Sequence, residues 1–539
     1  MKAFWEETLV RLRHVPEEEI LKKLRISFDD LDEYQQQIFL DIACFFFNES
    51  KTDAIYMWTA CQFYPERGID VLTSKCLIKI LHNDVFWMHD QLISMGREIV
   101  RQESPTEFGK RSRLWIEKEV LEVIGTEERK DKVQALEITG GYKEITNEEF
   151  ERLQNLRFLK LGNGTFAGDF AKCHSKLKWI SWKNPSNFKA GTMYLDHLVV
   201  FKLSNNSLTD DSKAWNLFKL PRGISMLENL EVLILRDCHE IQELPELPTS
   251  LTYLDLKSKS LLSIPNMSNL TNLVELFLSD NSWYTRKSNP IIGCNLSWIG
   301  RSSRLRKLEL NLLEVLAPPE LSSLSHLEEL VLRHLDLKAL VQLPSSYWRL
   351  RNLLTLKIEC CEVEEIPLKG LPRLKELTVE GCLRLQRLSV ALELRKLQEV
   401  NVFFCQELVE IHVVGFLKSL ESIFVSECVS LTKIYGLSHL KNLEKLKIDR
   451  CNVLTNVEGL DELEILKFLE VKDCTSFKTL IDASCTKIPD DCIVNIWMCG
   501  DSIKDSRWEM PSKHREEIPW NTSNKVRHIL HQCMGLFYF

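Results

Sequence analysis

A fixed period of 23 residues constrains this chain more than any other feature of its sequence. Five segments between Leu374 and Cys474 share the frame L-x-x-L-x-L-x-x-C, with isoleucine or valine allowed at the apolar positions. The cysteines that close these segments are Cys382, Cys405, Cys428, Cys451 and Cys474. A constant period of this length is typical of a solenoid, in which each turn of chain buries its apolar side chains against the next turn.

The frame is that of leucine-rich repeats, and its register extends beyond the five strongest segments. It predicts fifteen repeats, whose first apolar residues are Val133, Leu156, Leu177, Leu198, Leu230, Leu251, Leu273, Leu305, Leu327, Leu353, Leu374, Leu397, Leu420, Leu443 and Leu466. Three steps between repeats are longer than the rest and indicate loop insertions, one of them at residues 283–293. Leu-Pro and Ile-Pro pairs in the return segments favour irregular connections over long helices. The predicted fold is an α/β horseshoe-shaped solenoid of short strands.

The cysteine column could bind a metal or could serve the chain turn after each strand. A metal needs its ligands within about 2.3 Å, whereas residues on adjacent coils lie roughly 4.7–4.9 Å apart. In two other repeats Asn206 and Asn281 occupy the same place. We therefore predict small buried side chains at a turn. The sequence indicates no metal site, no catalytic constellation and no enzyme.

The first 130 residues carry a different pattern from the repeats. The predicted helices begin near Pro16 and after Asp32 and cover residues 52–61, 65–74 and 90–102. Residues 77–80 and 85–88 alternate around a polar turn and form a predicted β-hairpin. Helices, then a hairpin, then a helix predict a small, mostly helical winged-helix domain.

Composition and charge exclude several classes of function. The net charge of −8 provides no drive toward nucleic acid or anionic membranes, and the candidate recognition helix at residues 65–76 is not basic. The longest apolar run, residues 42–47, is too short to span a membrane. The chain starts with charged residues and has no apolar signal-peptide region. We expect an intracellular, cytoplasmic protein with free thiols, and the nucleus stays open as an alternative.

Three motifs ahead of the repeats carry a resemblance to a known family. FLDIACFF lies at residues 39–46, WMHD at 87–90 and GKRSRLW at 109–115. Together they resemble the end of the nucleotide-binding (NB-ARC) module of plant TIR-type nucleotide-binding leucine-rich-repeat disease resistance proteins. The sequence contains no GxxxxGK[ST] phosphate loop and no TIR domain, so we interpret it as a truncated member. The predicted parts are the end of a preceding helical subdomain (1–15), the winged helix (16–128), the repeats (129–498) and a tail (499–539).

The resemblance implies that Met88, His89 and Asp90 lie beside bound ADP, with the histidine near its phosphates. A histidine at a helix start can donate a hydrogen bond to a phosphate. From the residues alone, the simpler interpretation is that His89 and Asp90 cap the helix that follows. The resemblance associates ADP or ATP with the full-length family, and this chain alone is expected to bind no nucleotide tightly.

The variable strand positions are the candidate partner-binding positions, because alternate side chains point to the concave face of the solenoid. Aromatic residues beside charges in these columns indicate a protein-binding patch. The predicted partner-binding residues are Phe403, Phe404, Phe424, Lys447, Phe468 and Glu470. The alternative is that some of these rings are covered at the rim.

The resemblance implies a role in plant defence. The repeats would recognise a pathogen effector or a guarded host protein, and their contact with the winged helix would hold the nucleotide switch inactive. A stand-alone repeat scaffold or decoy without switching is the alternative, and a receptor ectodomain is a third class. The basic run from Lys110 to Arg113 is expected to act between the two domains.

Overall fold

A computed structural model describes most of the chain. The described residues are 18–81, 84–140, 145–162, 166–167, 176–184, 195–204, 220, 222–238, 244–258, 264–280, 294–311, 315–317, 320–335, 349–366, 368–391, 393–478, 486–497 and 499. The predicted segment 1–15, the insertion at 283–293, Asn206, Asn281 and nearly all of the tail lie outside these residues. The chain forms two compact units, residues 1–290 and 291–539, which we describe separately.

The first unit begins with the predicted winged helix. Its helices are α1 (Glu18–Asp29), α2 (Glu33–Asp41), α3 (Lys51–Ala60), α4 (Pro65–Ser74), α5 (Asp90–Glu103) and α6 (Glu117–Gly125). Strands β1 (Lys79–Ile80) and β2 (Phe86–Trp87) pair antiparallel and form the wing. Asp32 caps α2, the helix predicted to begin after it: its carboxylate accepts a hydrogen bond from the Gln35 amide at 2.9 Å, and the Gln35 side chain accepts one from the Asp32 amide.

Helix α2 does not end at Asp41 but continues into a π-helical turn, Ile42–Phe46. All five residues of this turn are buried. The wider turn closes with a hydrogen bond from the Phe47 amide to the Ile42 carbonyl at 2.9 Å. Such turns shift the side chains that follow them around the helix axis. Here the turn carries Phe45 and Phe46, whose rings contact the repeats.

The repeats of the first unit form a parallel sheet that begins with a strand of the linker. Its strands are β3 (Arg113–Leu114), β4 (Ala135–Ile138), β6 (Phe158–Leu161), β8 (Trp179–Lys183), β9 (Val200–Ser204), β10 (Val232–Arg236), β11 (Tyr253–Ser258) and β12 (Glu275–Asp280). Each strand pairs in parallel with the next. From β4 onward, every strand begins two residues after the first apolar residue predicted for its repeat.

The second unit continues the same pattern. Its parallel sheet contains β14 (Lys307–Asn311), β16 (Glu329–Arg333), β17 (Thr355–Glu359), β18 (Glu376–Glu380), β20 (Glu399–Phe403), β22 (Ser422–Ser426), β24 (Lys445–Asp449), β26 (Phe468–Lys472) and β27 (Ile493–Trp497). Strand β27 pairs in parallel with β26 and is the last strand of this sheet among the described residues. The first apolar residues of all fifteen predicted repeats are buried, which confirms the register.

The return segments are short and mostly irregular, as the prolines predicted. Short elements there are β5 (Ile145–Thr146), α7 (Asn147–Glu151), β7 (Phe166–Ala167), β13 (Cys294–Asn295), β15 (Val315–Ala317), β19 (Arg387–Val390), β21 (Glu410–Val413), β23 (Lys433–Tyr435) and β25 (Asn456–Val457). The last four pair into a second parallel sheet. Single 3-10 turns such as Leu437–His439 complete the connections.

The cysteine column forms the turn after each strand, as predicted. All five cysteines are buried and carry free thiols. The residue before each cysteine has a positive φ, as at Gly381 (63°) and Phe404 (56°), so the chain turns there. The Cys382 thiol donates to the carbonyls of Ile358 and Glu380 at 3.6 Å. These weak hydrogen bonds satisfy carbonyls at the strand end and connect adjacent coils.

A second column, which was not predicted from the sequence, consists of asparagines just before the first apolar residue of a repeat. Asn155 donates to the Asp131 carbonyl and Asn229 to the Asp196 carbonyl, both at 2.6 Å. Each bond joins one coil to the preceding coil. The sequence signal is the recurring Asn-Leu pair at that place in the period.

Candidate functional site

The Met88-His89-Asp90 motif lies where the wing meets helix α5. The Met88 side chain is buried in the winged-helix core, whereas His89 and Asp90 are exposed. His89 Nδ1 accepts a hydrogen bond from the Gln91 amide at 3.2 Å and caps the helix. Asp90 lies in the first turn, where a carboxylate interacts favourably with the helix dipole. The capping interpretation is confirmed for His89, and the nucleotide-binding role of the motif stays a prediction.

We call the sheet face that carries the first, third and fifth residue of each repeat strand the presented face. In the second unit its columns match those expected from the period. Thr378, Asn401, Phe424, Lys447 and Glu470 are direct cross-strand neighbours in one column. Phe403 occupies the adjacent column, between Glu380 and Ser426.

The structure corrects one part of the predicted aromatic patch. Phe424 is only 7% exposed, so its ring is not the open aromatic surface that we expected. It lies in the middle column, where neighbouring side chains at the strand spacing of roughly 4.8 Å cover one another. Phe403, Phe404 and Phe468 are half-buried. Phe404 lies at the left-handed turn after the strand rather than in a presented column.

Charges on the presented face of the second unit are largely paired with one another. Lys447 and Glu470 form an ion pair at 2.7 Å. Arg333 contacts both Glu309 and Glu359. Burial, reinforced by the nearby Glu359 carboxylate, raises the pKa of Glu380 to about 7. This carboxyl group therefore changes its charge near neutral pH.

The presented face of the first unit differs because its first column is apolar. The column consists of Ala135, Phe158, Trp179, Val200, Val232 and Tyr253, which are direct cross-strand neighbours. All six side chains are buried, and they share one hydrophobic core with the winged helix. The winged helix therefore covers the presented face of the first repeats. The sequence signal is the change from polar to apolar residues at these strand positions.

Aromatic rings form the centre of this contact. Phe158 and Trp179 stack with ring centroids 4.2 Å apart. Phe45 packs on Phe158 at 4.7 Å, and Phe46 packs edge-on against Trp179 at 5.7 Å. Because Phe45 and Phe46 belong to the FLDIACFF motif, the π-helical turn of that motif contributes directly to the contact.

Asp41 of the same motif forms the charged part of the contact. Its carboxylate accepts hydrogen bonds from Arg113 Nε and Arg157 Nη2, each at 2.8 Å, and from Trp58 Nε1 at 2.8 Å. The three ionic side chains are almost fully buried. Burial acts to raise the pKa of Asp41, but Arg157 and Arg113 outweigh it, so the pKa lies below its usual value. Arg113 of the Lys110–Arg113 run thus links Asp41 to β3, the strand that pairs with the first repeat strand, and an interdomain role for the run as a whole stays a prediction.

Polar pairs extend the contact across further repeats. Lys202 on β9 forms an ion pair with Asp53 of helix α3 at 2.5 Å. The Thr252 hydroxyl, next to β11, donates to the Tyr56 hydroxyl at 2.9 Å. The winged helix thus contacts repeats from β4 to β11 through apolar, ionic and hydrogen-bonded groups. None of these repeat residues was predicted from the sequence to contact the winged helix.

Among the described residues, no group of three or more His, Cys, Asp or Glu side chains could hold a metal ion. No helix in the described ranges combines the length and the apolar character needed to cross a membrane.

Comparison with known proteins also identifies the N-terminal part of the chain as a winged-helix domain. Residues 32–104 match the family model described as the winged-helix domain of Roq1-like disease resistance proteins. The chain is 45% identical over 111 residues to the disease resistance protein RUN1 of Vitis rotundifolia, a match that covers 21% of this chain and 8% of that protein. It is 30% identical over 209 residues to the TMV resistance protein N of Nicotiana glutinosa, covering 38% of this chain and 18% of that protein.

A longer match extends through the repeats. The disease resistance protein RRS1B of Arabidopsis thaliana is 28% identical over 427 residues, covering 71% of this chain and 30% of that protein. The chain thus spans less than a third of the length of these relatives. A solved leucine-rich-repeat protein of Leptospira interrogans has a TM-score of 0.41 and 17% identity, covering 75% of this chain and 88% of that one. The family model and the relatives confirm the resemblance to disease resistance proteins and the winged helix, and the stacked parallel strands confirm the repeat solenoid.

Proposed function

We propose that this chain, which resembles plant disease resistance proteins, is the sensing and regulatory part of an intracellular immune receptor. Its later repeats would recognise a pathogen effector or a guarded host protein on their concave face. Its winged helix, held by the first repeats, would restrain an ADP-bound nucleotide switch. The observation that supports this most is the buried contact of the winged helix on the presented face of the first repeats.

The contact supports regulation because it joins the winged helix to the same solenoid whose later repeats would carry recognition. A winged helix that bound the repeats only through exposed charges would be released easily. Here aromatic stacking, buried ion pairs and a continuous apolar column hold it. A ligand can release such a contact only if it binds the released state more tightly than the held state. A difference in binding free energy of about 5.5 kcal/mol converts a 1:99 ratio of released to held molecules into 99:1.

The presented face of the second unit supports recognition. Its columns combine half-buried aromatic rings, such as Phe403 and Phe468, with charged side chains. This composition is typical of surfaces that bind proteins. Because Phe424 is buried, we expect its replacement to affect folding rather than recognition directly.

A charge swap tests the regulatory part of the proposal. The chain is joined to a complete TIR and nucleotide-binding module of a relative and expressed in leaves. Asp53→Lys removes the Lys202 ion pair and places two ammonium groups together, so we expect cell death without any effector. The double variant Asp53→Lys with Lys202→Asp restores the pair in reverse and should restore silence.

The outcomes separate the two candidate functions. A stably expressed chimera that stays silent in the Asp53→Lys form would contradict a regulatory role for the contact and would favour a scaffold or decoy. For recognition, Phe403→Ala with Phe468→Ala should abolish the response to any effector that triggers the chimera. Phe416→Ala is the matched control, because that ring is 57% exposed but lies outside the presented columns.

A further inference from the structure

The first unit contains a surface cavity of about 520 Å³, open to solvent on one side, between the winged helix and the first three repeats. The winged helix contributes Cys61 and Phe63 to its wall, and the repeats contribute the remaining lining residues. A cavity of this size is within the range of small-molecule sites in proteins. It lies at the edge where the repeat strands begin, apart from the Met88-His89-Asp90 motif.

The repeat period explains why cationic side chains meet at this edge. Gln134, Arg157 and Lys178 each follow the first apolar residue of consecutive repeats, and Asn155 and Lys176 each precede it. The Arg157 amide donates to the Gln134 carbonyl at 2.8 Å, and the Lys178 amide donates to the Arg157 carbonyl at 2.9 Å. Residues at one register position on adjacent coils lie roughly 4.8 Å apart. One ligand can therefore reach several of these side chains.

The charges around the cavity are unbalanced. Its described lining includes Arg157, Lys176 and Lys178 but no carboxylate. The Arg157 side chain is only 7% exposed, and its carboxylate partner Asp41 also pairs with Arg113, so this buried cluster has two cations for one anion. Lys176 donates to the neutral Asn155 side chain at 2.5 Å. In the described part of the chain, the Lys178 ammonium has no ionic partner.

We propose that this cavity binds a small organic phosphate that carries at least two negative charges. Lys176 and Lys178 supply charge-assisted hydrogen bonds to the phosphate oxygens, and the Gln134 amide supplies a neutral donor. Arg157 contributes its positive field, and its guanidinium lies over the Phe63 ring at 5.1 Å. Phe63 provides an apolar wall for the organic part of the ligand.

The thiol in the wall is compatible with an anionic ligand. Burial raises the pKa of Cys61, so this side chain stays neutral and does not compete as an anion. The cavity has walls from both the winged helix and the repeats, so the ligand stabilises their contact. By linkage, a ligand that binds only the folded unit raises its unfolding temperature as the ligand concentration increases.

The test uses the purified full chain with glucose 1,6-bisphosphate and pyrophosphate as probes. Calorimetric titration and thermal unfolding measure binding, with sodium sulfate at matched ionic strength as the reference. We expect saturable binding of the sugar bisphosphate with one site per chain and an increased unfolding temperature. The variant Lys176→Gln with Lys178→Gln should weaken binding at least tenfold, because it removes the two lysine charges that contact the phosphates.

The control variant is Lys183→Gln, which removes an exposed lysine from strand β8 outside the cavity. It should bind the sugar bisphosphate as the unmodified chain does. Equal unfolding temperatures of all variants without ligand verify folding, because neither cavity lysine has a buried ionic partner. Unchanged affinity in the double variant would overturn the proposal. The proposal would also be overturned if pyrophosphate bound and glucose 1,6-bisphosphate did not, because the cavity would then not accommodate the organic part of the ligand.

Discussion

Replacement of Asp41 by asparagine gives the sharpest test of the winged-helix contact. The carboxylate is 1% exposed and accepts hydrogen bonds from Arg113, Arg157 and Trp58, all at 2.8 Å. Asparagine keeps the size of the side chain but removes its charge. Two guanidinium groups then lie close together in the protein interior without a counterion.

The magnitude follows from the charge balance of the cluster. Removing one partner of a buried ion pair typically costs about 3–5 kcal/mol, because the remaining charge stays desolvated. For Asp41→Asn we expect the free energy of unfolding to fall by an amount in that range or above it, because two buried cations are left without a counterion. Arg157→Met should cost less, about 1.5–3 kcal/mol, because the Asp41–Arg113 pair stays balanced and one charge-assisted hydrogen bond is lost.

The assay is urea denaturation at neutral pH, combined with hydrogen exchange of residues 33–46 to locate the loss of stability. The pKa of Asp41 lies below its usual value, so its contribution is complete above the unfolded-state pKa of about 3.9. The contribution disappears as the pH falls through the folded-state pKa. The free energies of unfolding of the unmodified chain and of Asp41→Asn should therefore differ by the same amount at pH 5 and at pH 8. A loss below about 1 kcal/mol for Asp41→Asn, or an equal loss for Arg157→Met, would refute the reasoning.

Three further predictions concern single residues. Iodoacetamide should alkylate the exposed Cys76 long before Cys405 of the buried column, as peptide mass spectrometry would show; equal rates in the native protein would contradict the buried turn role. The pKa of Glu380 is raised to about 7, so its charge destabilises the fold as the pH rises from about 4 to above 7. Glu380→Gln should thus stabilise the chain more at pH 8 than at pH 5, by about 1–2 kcal/mol, measured by urea denaturation at both pH values. Trp179→Ala should destabilise the first unit by about 3–5 kcal/mol, detected as a lower unfolding temperature, because its buried ring stacks on Phe158.

The period in the sequence determined much of the fold of this protein. It defined fifteen repeats, the first buried apolar residue of each and the cross-strand columns such as Asn401 beside Phe424. Such features are local, because each coil has the same spacing between its apolar residues and its turn. The motifs identified the winged helix for the same reason: helix caps and a short hairpin depend on residues that are close in the chain.

The tertiary structure alone decided which parts of the presented face are covered. The apolar first column of the early repeats and the π-helical turn with Phe45 and Phe46 are both visible in the sequence, but their contact is not. Asp41 pairs with Arg157, which lies 116 residues away, and nothing in the local pattern of either residue indicates the other. The burial of Phe424 and the cationic cavity near Lys178 likewise depend on side chains from several coils. The sequence determines repeating local geometry because neighbouring residues specify it, whereas charge pairing and burial depend on residues that only folding brings together.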